Sequence, residues 1–248
     1  MKTYIFDLDG TIITNGQPIH NVIAEKIKQL CSSGSVIFAS ARPIRDMLPL
    51  LPHELHNCLM IGCNGGMAWQ NGNFLFSHGF NPEHFSRVIT FLKEEKIPYV
   101  IDGVWYFSVS EINHEFHNYM RKLSIYEKEE KELLSEKITK ILVLDGESRT
   151  KIDRFIEREG FKYNINHHKA DNLFDITPQS ENKYQSLCKL GVDFNNSIVF
   201  GNDENDYAML DNAKVSVFIG ATKDYPNANF YCRTEYIPSI LDEVTDSF

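Results

Sequence analysis

Five short apolar runs limit what this chain can become: Lys2 to Phe6, Val36-Ile37-Phe38-Ala39, Leu59-Met60-Ile61, Ser197-Ile198-Val199-Phe200 and Val215-Ser216-Val217-Phe218. Each is too short for a helix buried all round, and most lack the apolar-polar alternation of a half-exposed strand. Strands of this kind are covered on both faces, the condition of a parallel sheet. The first run ends at acids and a glycine, and Ile19, Val22, Ile23, Ile27 and Leu30 then follow at helical spacing until Ser32-Ser33-Gly34 stops them. The chain therefore opens strand, helix, strand. The five runs lie in two separated pieces of sequence, so the sheet is interrupted by something else.

The interruption has a different texture. Phe85, Val88, Ile89 and Leu92 form one helical face, and Tyr99 to Ser110 reads as paired strands around Asp102-Gly103. A charged run from Glu127 to Lys137 precedes a strand over Ile138 to Leu144, a helix from Ser148 to Glu159 ending at Gly160, and strands near Tyr163-Asn166 and Leu173-Ile176. This α+β segment reads as an inserted domain over residues 80–178, leaving 1–79 and 179–248 for the sheet, with Pro, Gly and polar residues clustered at both edges.

With 248 residues, 42% of them hydrophobic, the chain is long enough to bury substantial cores. Its net charge of −9 argues against nucleic acid and anionic membranes as partners, both of which attract clustered Lys and Arg. The sequence contains no apolar run of membrane-spanning length, and Asp7 and Asp9 interrupt the start where a signal peptide needs apolar residues, so a cytoplasmic location is expected. Cys31, Cys58, Cys63, Cys188 and Cys232 are odd in number, scattered and without a CxxC pair, which favours buried free thiols over a disulfide framework or a zinc site. The nine His residues, His167-His168 among them, show no HExxH or HxH spacing.

The chemistry concentrates where strands end. Asp7-Leu8-Asp9-Gly10-Thr11 directly follows the first strand, at the carboxyl edge where open α/β folds bind ligands. Strand alternation turns Asp7 and Asp9 to one side, where two carboxylates repel and raise one pKa unless a cation lies between them. The plain alternative is a turn, since Asp and Gly are common turn formers. An EF-hand loop is excluded, because Gly10 falls at the fourth position of the acidic loop, not the sixth. Asp203-Glu204-Asn205-Asp206 also follows an apolar strand, so the two acidic clusters can meet at one edge around a hard cation. Ser40-Ala41-Arg42 brings a hydroxyl and backbone N–H groups to that edge. Lys183 starts a helix expected over Glu181 to Leu190; a lysine there is surface-exposed by default. Metal ligands, a hydroxyl and a lysine together suit a phosphate ester.

In order and in kind, these segments resemble the four motifs of the haloacid dehalogenase superfamily, and within it the Cof-type phosphatases with a type IIB cap. Asp7-Leu8-Asp9-Gly10-Thr11 is similar to the first motif, Ser40-Ala41-Arg42-Pro43 to the second, Lys183 to the third and Gly201-Asn202-Asp203-Glu204-Asn205-Asp206 to the fourth. Cys63-Asn64-Gly65-Gly66 resembles the Asn-Gly segment that Cof-type proteins carry after the third strand. The resemblance spans the chain and implies a Rossmann-like, doubly wound parallel sheet core with an inserted α+β cap. It implies Asp7 as a nucleophile forming an aspartyl-phosphate and Asp9 as general acid and base. It also implies Mg2+ held by Asp7, the Asp9 carbonyl and the fourth motif (Asn202, with Asp206), and phosphoryl oxygens held by Ser40 and Lys183. Arg42, Asn64 and Asn205 become further substrate-binding candidates.

Two departures stand out. Asn202 occupies a position where most relatives have aspartate, so it offers an amide oxygen without charge, and Asp203 and Asp206 are both candidates to compensate. Ala41 replaces a common glycine. The expected activity is a Mg2+-dependent phosphatase acting on small phosphorylated metabolites such as sugar phosphates. A phosphomutase or phosphotransferase is the near alternative, and a non-catalytic phosphometabolite-binding protein, motivated by Asn202, the distant one. The sequence leaves the oligomeric state unspecified.

Overall fold

A computed structural model describes residues 2–168, 172–178 and 182–247. The chain divides into two compact units, Met1–Phe76 with Asn182–Phe248, and Ser77–Glu181. These divisions fall at 76/77 and 181/182, against 79/80 and 178/179 read from composition. Gln179 and Glu181, which figure in the expected boundary and helix start, lie outside the described residues.

The chain opens with β1 (Lys2–Asp7), α1 (Asn21–Leu30), β2 (Gly34–Ala39), α2 (Ile44–Met47), β3 (Leu59–Gly62), β4 (Met67–Gln70) and β5 (Asn73–Ser77). It continues through α3 (Pro82–Glu94), β6 (Tyr99–Gly103), β7 (Phe107–Val109), α4 (Glu115–Leu123), α5 (Glu130–Leu133), β8 (Ile138–Val143), α6 (Arg149–Glu159), β9 (Asn164–His168) and β10 (Leu173–Thr177). It closes with α7 (Lys183–Lys189), β11 (Ser197–Gly201), α8 (Tyr207–Asn212), β12 (Val215–Ile219), β13 (Phe230–Cys232) and α9 (Ile237–Ser247).

The first unit is built on a sheet in the order β13-β12-β11-β1-β2-β3-β4-β5. Every pairing from β13 to β3 is parallel, and β4 joins β3 antiparallel. The five apolar runs are thus the five central strands. Their residues alternate between two buried faces, as parallel strands require. Ile5, Ile37 and Val199 cluster with Leu187 of α7 and Met209 and Leu210 of α8, while the neighbouring Phe6 stacks on Phe200 at 4.8 Å and approaches Phe38 at 6.2 Å. This is the expected Rossmann-like α/β core.

Register decides what gathers at the carboxyl edge. Asp7 pairs with Ala39, Phe6 with Phe200 and Ala39 with Ile61, so β1, β2, β11 and β3 end level with one another. The residues that follow them meet there.

α1 buries Ile23, Ala24, Ile27 and Leu30. The helical spacing read from sequence includes two residues that behave otherwise: Ile19 precedes the helix, its N–H donating to the Leu50 carbonyl at 2.9 Å, and Val22 is 55% exposed. The hairpin β4–β5 and the elements α4, β13 and α9 have no counterpart in the reading of the sequence. The hairpin turns on Asn71-Gly72, with φ of 50° and 79°, the left-handed pair that a two-residue turn demands.

The second unit holds a sheet in the order β7-β6-β8-β10-β9, its neighbouring strands antiparallel. α3 buries Phe85, Val88, Ile89 and Leu92, the four residues its spacing singled out, against Tyr99, Ile101, Ile141, Val143, Phe174 and Ile176. Asp102-Gly103 is not the turn between β6 and β7. Both residues stay in β6, and the chain reverses after them, with the Gly103 N–H donating to the Tyr106 carbonyl at 2.8 Å. α6 ends as expected at Gly160, in the left-handed region with φ of 70°. Among the described residues no helix is long and apolar enough to cross a membrane. Of the five thiols, only Cys63 is buried; Cys31 and Cys188 are exposed and Cys58 and Cys232 half-buried.

Candidate active site

The loop after β1 is tight because three N–H groups, of Thr11, Ile12 and Ile13, converge on the Leu8 carbonyl at 3.1, 2.9 and 2.8 Å. Gly10 allows it: φ is +80°, and a Cβ there would lie 2.3 Å from the Asn202 amide. The loop and the end of β11 therefore touch.

Asp7, 4% exposed, ends β1. Its Oδ1 accepts from Lys183 Nζ at 2.6 Å and its Oδ2 from Thr11 Oγ1 at 3.0 Å. Lys183 is delivered by α7, whose start is fixed by a capping box: Asn182 Oδ1 accepts from the Gln185 N–H at 2.9 Å and Gln185 Oε1 from the Asn182 N–H at 3.0 Å. The lysine is 1% exposed, contrary to the surface position its residue type favours. Two carboxylates make that burial tolerable, because Nζ also donates to Asp206 Oδ1 at 2.8 Å. Asp206 Oδ2 accepts from the N–H groups of Asn202 and Asp203 at 3.0 and 3.3 Å. Both oxygens of Asp206 thus accept from N–H donors. Asp203 accepts from the Glu204 N–H at 2.8 Å.

Burial dominates the electrostatics of Asp7. Loss of water pushes its pKa up to about 7; Asp206 adds to the rise, Lys183 opposes it, and Asp9 contributes least. The repulsion anticipated between Asp7 and Asp9 is therefore mainly one between Asp7 and Asp206. Asp9 faces elsewhere: its side chain is 44% exposed and held by a bidentate pair, Arg42 Nε to Oδ2 at 2.7 Å and Nη2 to Oδ1 at 2.8 Å. Two carboxylates two residues apart thus sit in opposite environments, one dry and one wet. Burial alone pushes the Lys183 ammonium down, but the two carboxylates outweigh it and the net shift is upward.

Ser40 is 1% exposed; its Oγ accepts from the Arg42 N–H at 3.1 Å and its carbonyl from the Asn64 N–H at 3.0 Å. Cys63, Asn64 and Gly65 have φ of 50°, 54° and 108°, an unusual succession in the left-handed region. It leaves Asn64 2% exposed, with Oδ1 accepting from Asn205 Nδ2 at 3.1 Å and its own Nδ2 without a hydrogen-bond partner. A buried donor without an acceptor is a place for a ligand oxygen.

All nine residues singled out from sequence lie in the first unit, and direct contacts join them into two groups: Asp7, Lys183, Asp206 and Asn202, and Ser40, Asn64, Asn205 with the Arg42–Asp9 pair. Thr11 was quoted within its motif but given no role, although it is 0% exposed and bonded to Asp7. Its position directly before the apolar pair Ile12-Ile13 carried no separate signal.

Among the described residues no three His, Cys, Asp or Glu side chains are disposed around one point as metal ligands. A mixed oxygen set is present instead. One end of the Asn202 amide lies 3.1 Å from Asp7 Oδ2, 3.0 Å from the Asp9 carbonyl and 3.0 Å from Thr11 Oγ1. With nitrogen there, the amide donates to all three. With oxygen there, a carboxylate, a carbonyl and an amide oxygen converge, the donor chemistry of a hard divalent cation. The residues fit such an ion.

A parallel core sheet, a carboxylate at the end of its central strand and a buried lysine define a hydrolase site of the haloacid dehalogenase kind. The model of the haloacid dehalogenase-like hydrolases matches residues 4–230, and the chain belongs to that family. It is accordingly an enzyme, a hydrolase whose named relatives include phosphatases, in keeping with the Cof-type resemblance of its motifs. A phosphoglycolate phosphatase of Methanobrevibacter smithii is 21% identical over 96% of this chain and 94% of its own. A haloacid dehalogenase-like hydrolase of Bacteroides thetaiotaomicron superposes with a TM-score of 0.83 at 18% identity, covering 100% of this chain and 99% of that one. A subclass IIB sugar phosphatase superposes with a TM-score of 0.76 at 16% identity, covering 99% of both chains.

Proposed function

We propose that this chain is a Mg2+-dependent phosphatase that hydrolyses small phosphorylated metabolites, sugar phosphates foremost, through an aspartyl-phosphate on Asp7. The observation that carries this reading is the pairing of a buried carboxylate, Asp7, fixed by Lys183 and Thr11, with a solvent-facing carboxylate, Asp9, two residues on. One is built to attack and the other to exchange protons.

Asp7 attacks phosphorus, the ester P–O bond breaks, and Asp9 protonates the departing oxygen. Asp9 then takes a proton from the water that attacks the aspartyl-phosphate, so Asp7 and inorganic phosphate are released. An ammonium has three N–H donors; Lys183 spends two on Asp7 and Asp206 and turns the third to a phosphoryl oxygen. Ser40 Oγ and the unpartnered Asn64 Nδ2 hold further phosphoryl oxygens. Asp206 is a positioning residue, holding Lys183 and the turn after β11. Arg42 orients Asp9. Asp7, the Asp9 carbonyl and Asn202 would hold Mg2+, which when bound offsets the repulsion between an anionic nucleophile and an anionic phosphate. By the resemblance of the motifs, the second unit is the inserted cap.

The test is phosphate release from p-nitrophenyl phosphate, 2-phosphoglycolate and a sugar-phosphate panel, with Mg2+ or with chelator, for wild type and Asp7→Asn. Metal-dependent turnover lost in Asp7→Asn is the expected result. Absence of release from every substrate at saturating Mg2+ overturns the reading, and isomer interconversion without free phosphate replaces it with a mutase.

A further inference from the structure

The turn that carries Asn64 is anchored from three directions. Cys63, Asn64 and Gly65 stand in succession in the left-handed region, a conformation that residues other than glycine keep only where their surroundings fix it. From the segment after β2, the Arg42 and Ser40 carbonyls accept the Cys63 and Asn64 N–H groups at 2.9 and 3.0 Å. From the segment after β11, Asn205 Nδ2 donates to Asn64 Oδ1 at 3.1 Å, which fixes Nδ2 as the end of the Asn64 amide left to donate. The third anchor comes from α7, where Ser186 Oγ donates to the Gly65 carbonyl at 2.9 Å.

That anchor shares a helix with Lys183. Ser186 is fully buried one turn after the lysine, its N–H donating to the Asn182 carbonyl at 3.1 Å. A helical serine commonly returns its hydroxyl to the carbonyl four residues back; here the hydroxyl leaves its own helix and crosses to a residue 121 positions away in sequence. The turn is pressed against the helix start as well, since a Cβ at Gly65 would lie 2.7 Å from the Asn182 carbonyl oxygen and 2.8 Å from Ser186 Oγ. We propose that Ser186 is a positioning residue for phosphoryl binding: through the Gly65 carbonyl, its hydroxyl holds the Asn64 amide at a fixed place relative to Lys183 Nζ. This role rests on Asn64 Nδ2 holding a phosphoryl oxygen, as in the proposed function. Two donors from distant parts of the chain must close on one tetrahedral anion, and a donor set in place beforehand costs no reorganisation when the anion arrives.

The experiment titrates inorganic phosphate into the full chain at saturating Mg2+, followed by phosphorus NMR, for wild type, Ser186→Ala, Asn64→Gly and the double variant. Alanine at 186 removes one hydroxyl and keeps a good helix former; glycine at 64 removes the amide and keeps the left-handed backbone. Circular dichroism checks that each variant is folded. The Kd should rise about three- to tenfold in Ser186→Ala, the loss of one hydrogen bond's worth of order. It should rise further in Asn64→Gly and be the same in the double variant as in Asn64→Gly, because the serine acts only through that amide. An unchanged Kd in folded Ser186→Ala overturns the proposal and leaves the serine a purely structural bond. The same loss repeated on top of Asn64→Gly also overturns it, routing the effect through Lys183, as does a wild type that binds no phosphate. Turnover judges the phosphatase reading separately: phosphate release without the coupling sinks the positioning role alone, and the coupling without release from any substrate sinks hydrolysis alone.

Discussion

Lys183 holds two buried carboxylates apart, at 2.6 Å from Asp7 and 2.8 Å from Asp206. Replacing it with methionine leaves two acids facing one another in a dry site, so Lys183→Met should cost about 3–5 kcal/mol, read as a fall in the urea midpoint, and abolish turnover. Asp7 carries the opposite signature. Its folded pKa lies above the unfolded one, so the native state binds more protons, and its contribution to stability is present at low pH and lost as pH rises from about 4 through about 7. In chelator, Asp7→Asn should melt above wild type at pH 8, with the gap closing toward pH 4; saturating Mg2+ should shrink the gap at pH 8 by favouring the carboxylate. Asp9→Asn separates chemistry from folding. It should lower kcat by about 10²–10⁴, yet change stability by less than about 1 kcal/mol, because the Arg42 pair it loses is partly solvated. Asp7 and Asp9 were legible because a strand signal runs straight into them. The bond from Lys183 to Asp7 spans 176 residues, and only the order of motifs, not any local pattern, pointed to it.

At the level of elements, legibility followed apolar density. α3 announced itself because its four buried residues fall on one helical face, and the central strands because both of their faces are covered. β4 and β5 had no such signal: Gln70, Asn73 and Leu75 face solvent wholly or in part, so no apolar run forms. The cue lay in the turn, since Asn71-Gly72 is the dipeptide suited to two successive left-handed residues. Gly72→Val should therefore destabilise the protein by about 1–2 kcal/mol in a urea titration, a cost of backbone conformation alone, since a Cβ at Gly72 meets no atom within 4 Å. α4 escaped notice for a related reason: only His117 and Met120 are buried along it, too few to set a period.

The molecule as a whole carries separate hydrophobic cores, one around Ile5, Ile37 and Val199 and another around Phe85, Ile141 and Phe174. The interruption of the sheet was readable from the change of texture after β5, but its edges were not, because short polar connections leave no pattern finer than a few residues. The two tryptophans fall one to each unit, Trp69 and Trp105. In single-tryptophan backgrounds, Phe174→Ala should lower the urea midpoint seen by Trp105, as about 3–5 kcal/mol of packing is lost, and leave that of Trp69 in place; equal shifts would mean that both units unfold as one. The long span between Asp7 and Lys183 also has a meaning for synthesis. A ribosome adding roughly 5–20 residues per second delivers the lysine some 10–35 s after the aspartate. Throughout that interval the nascent chain holds the strand that ends at Asp7 without its counter-charge and without β11 beside it, while the whole second unit is being made. The inserted unit can be folded before the active site exists, and a chain stalled anywhere before α7 is catalytically silent.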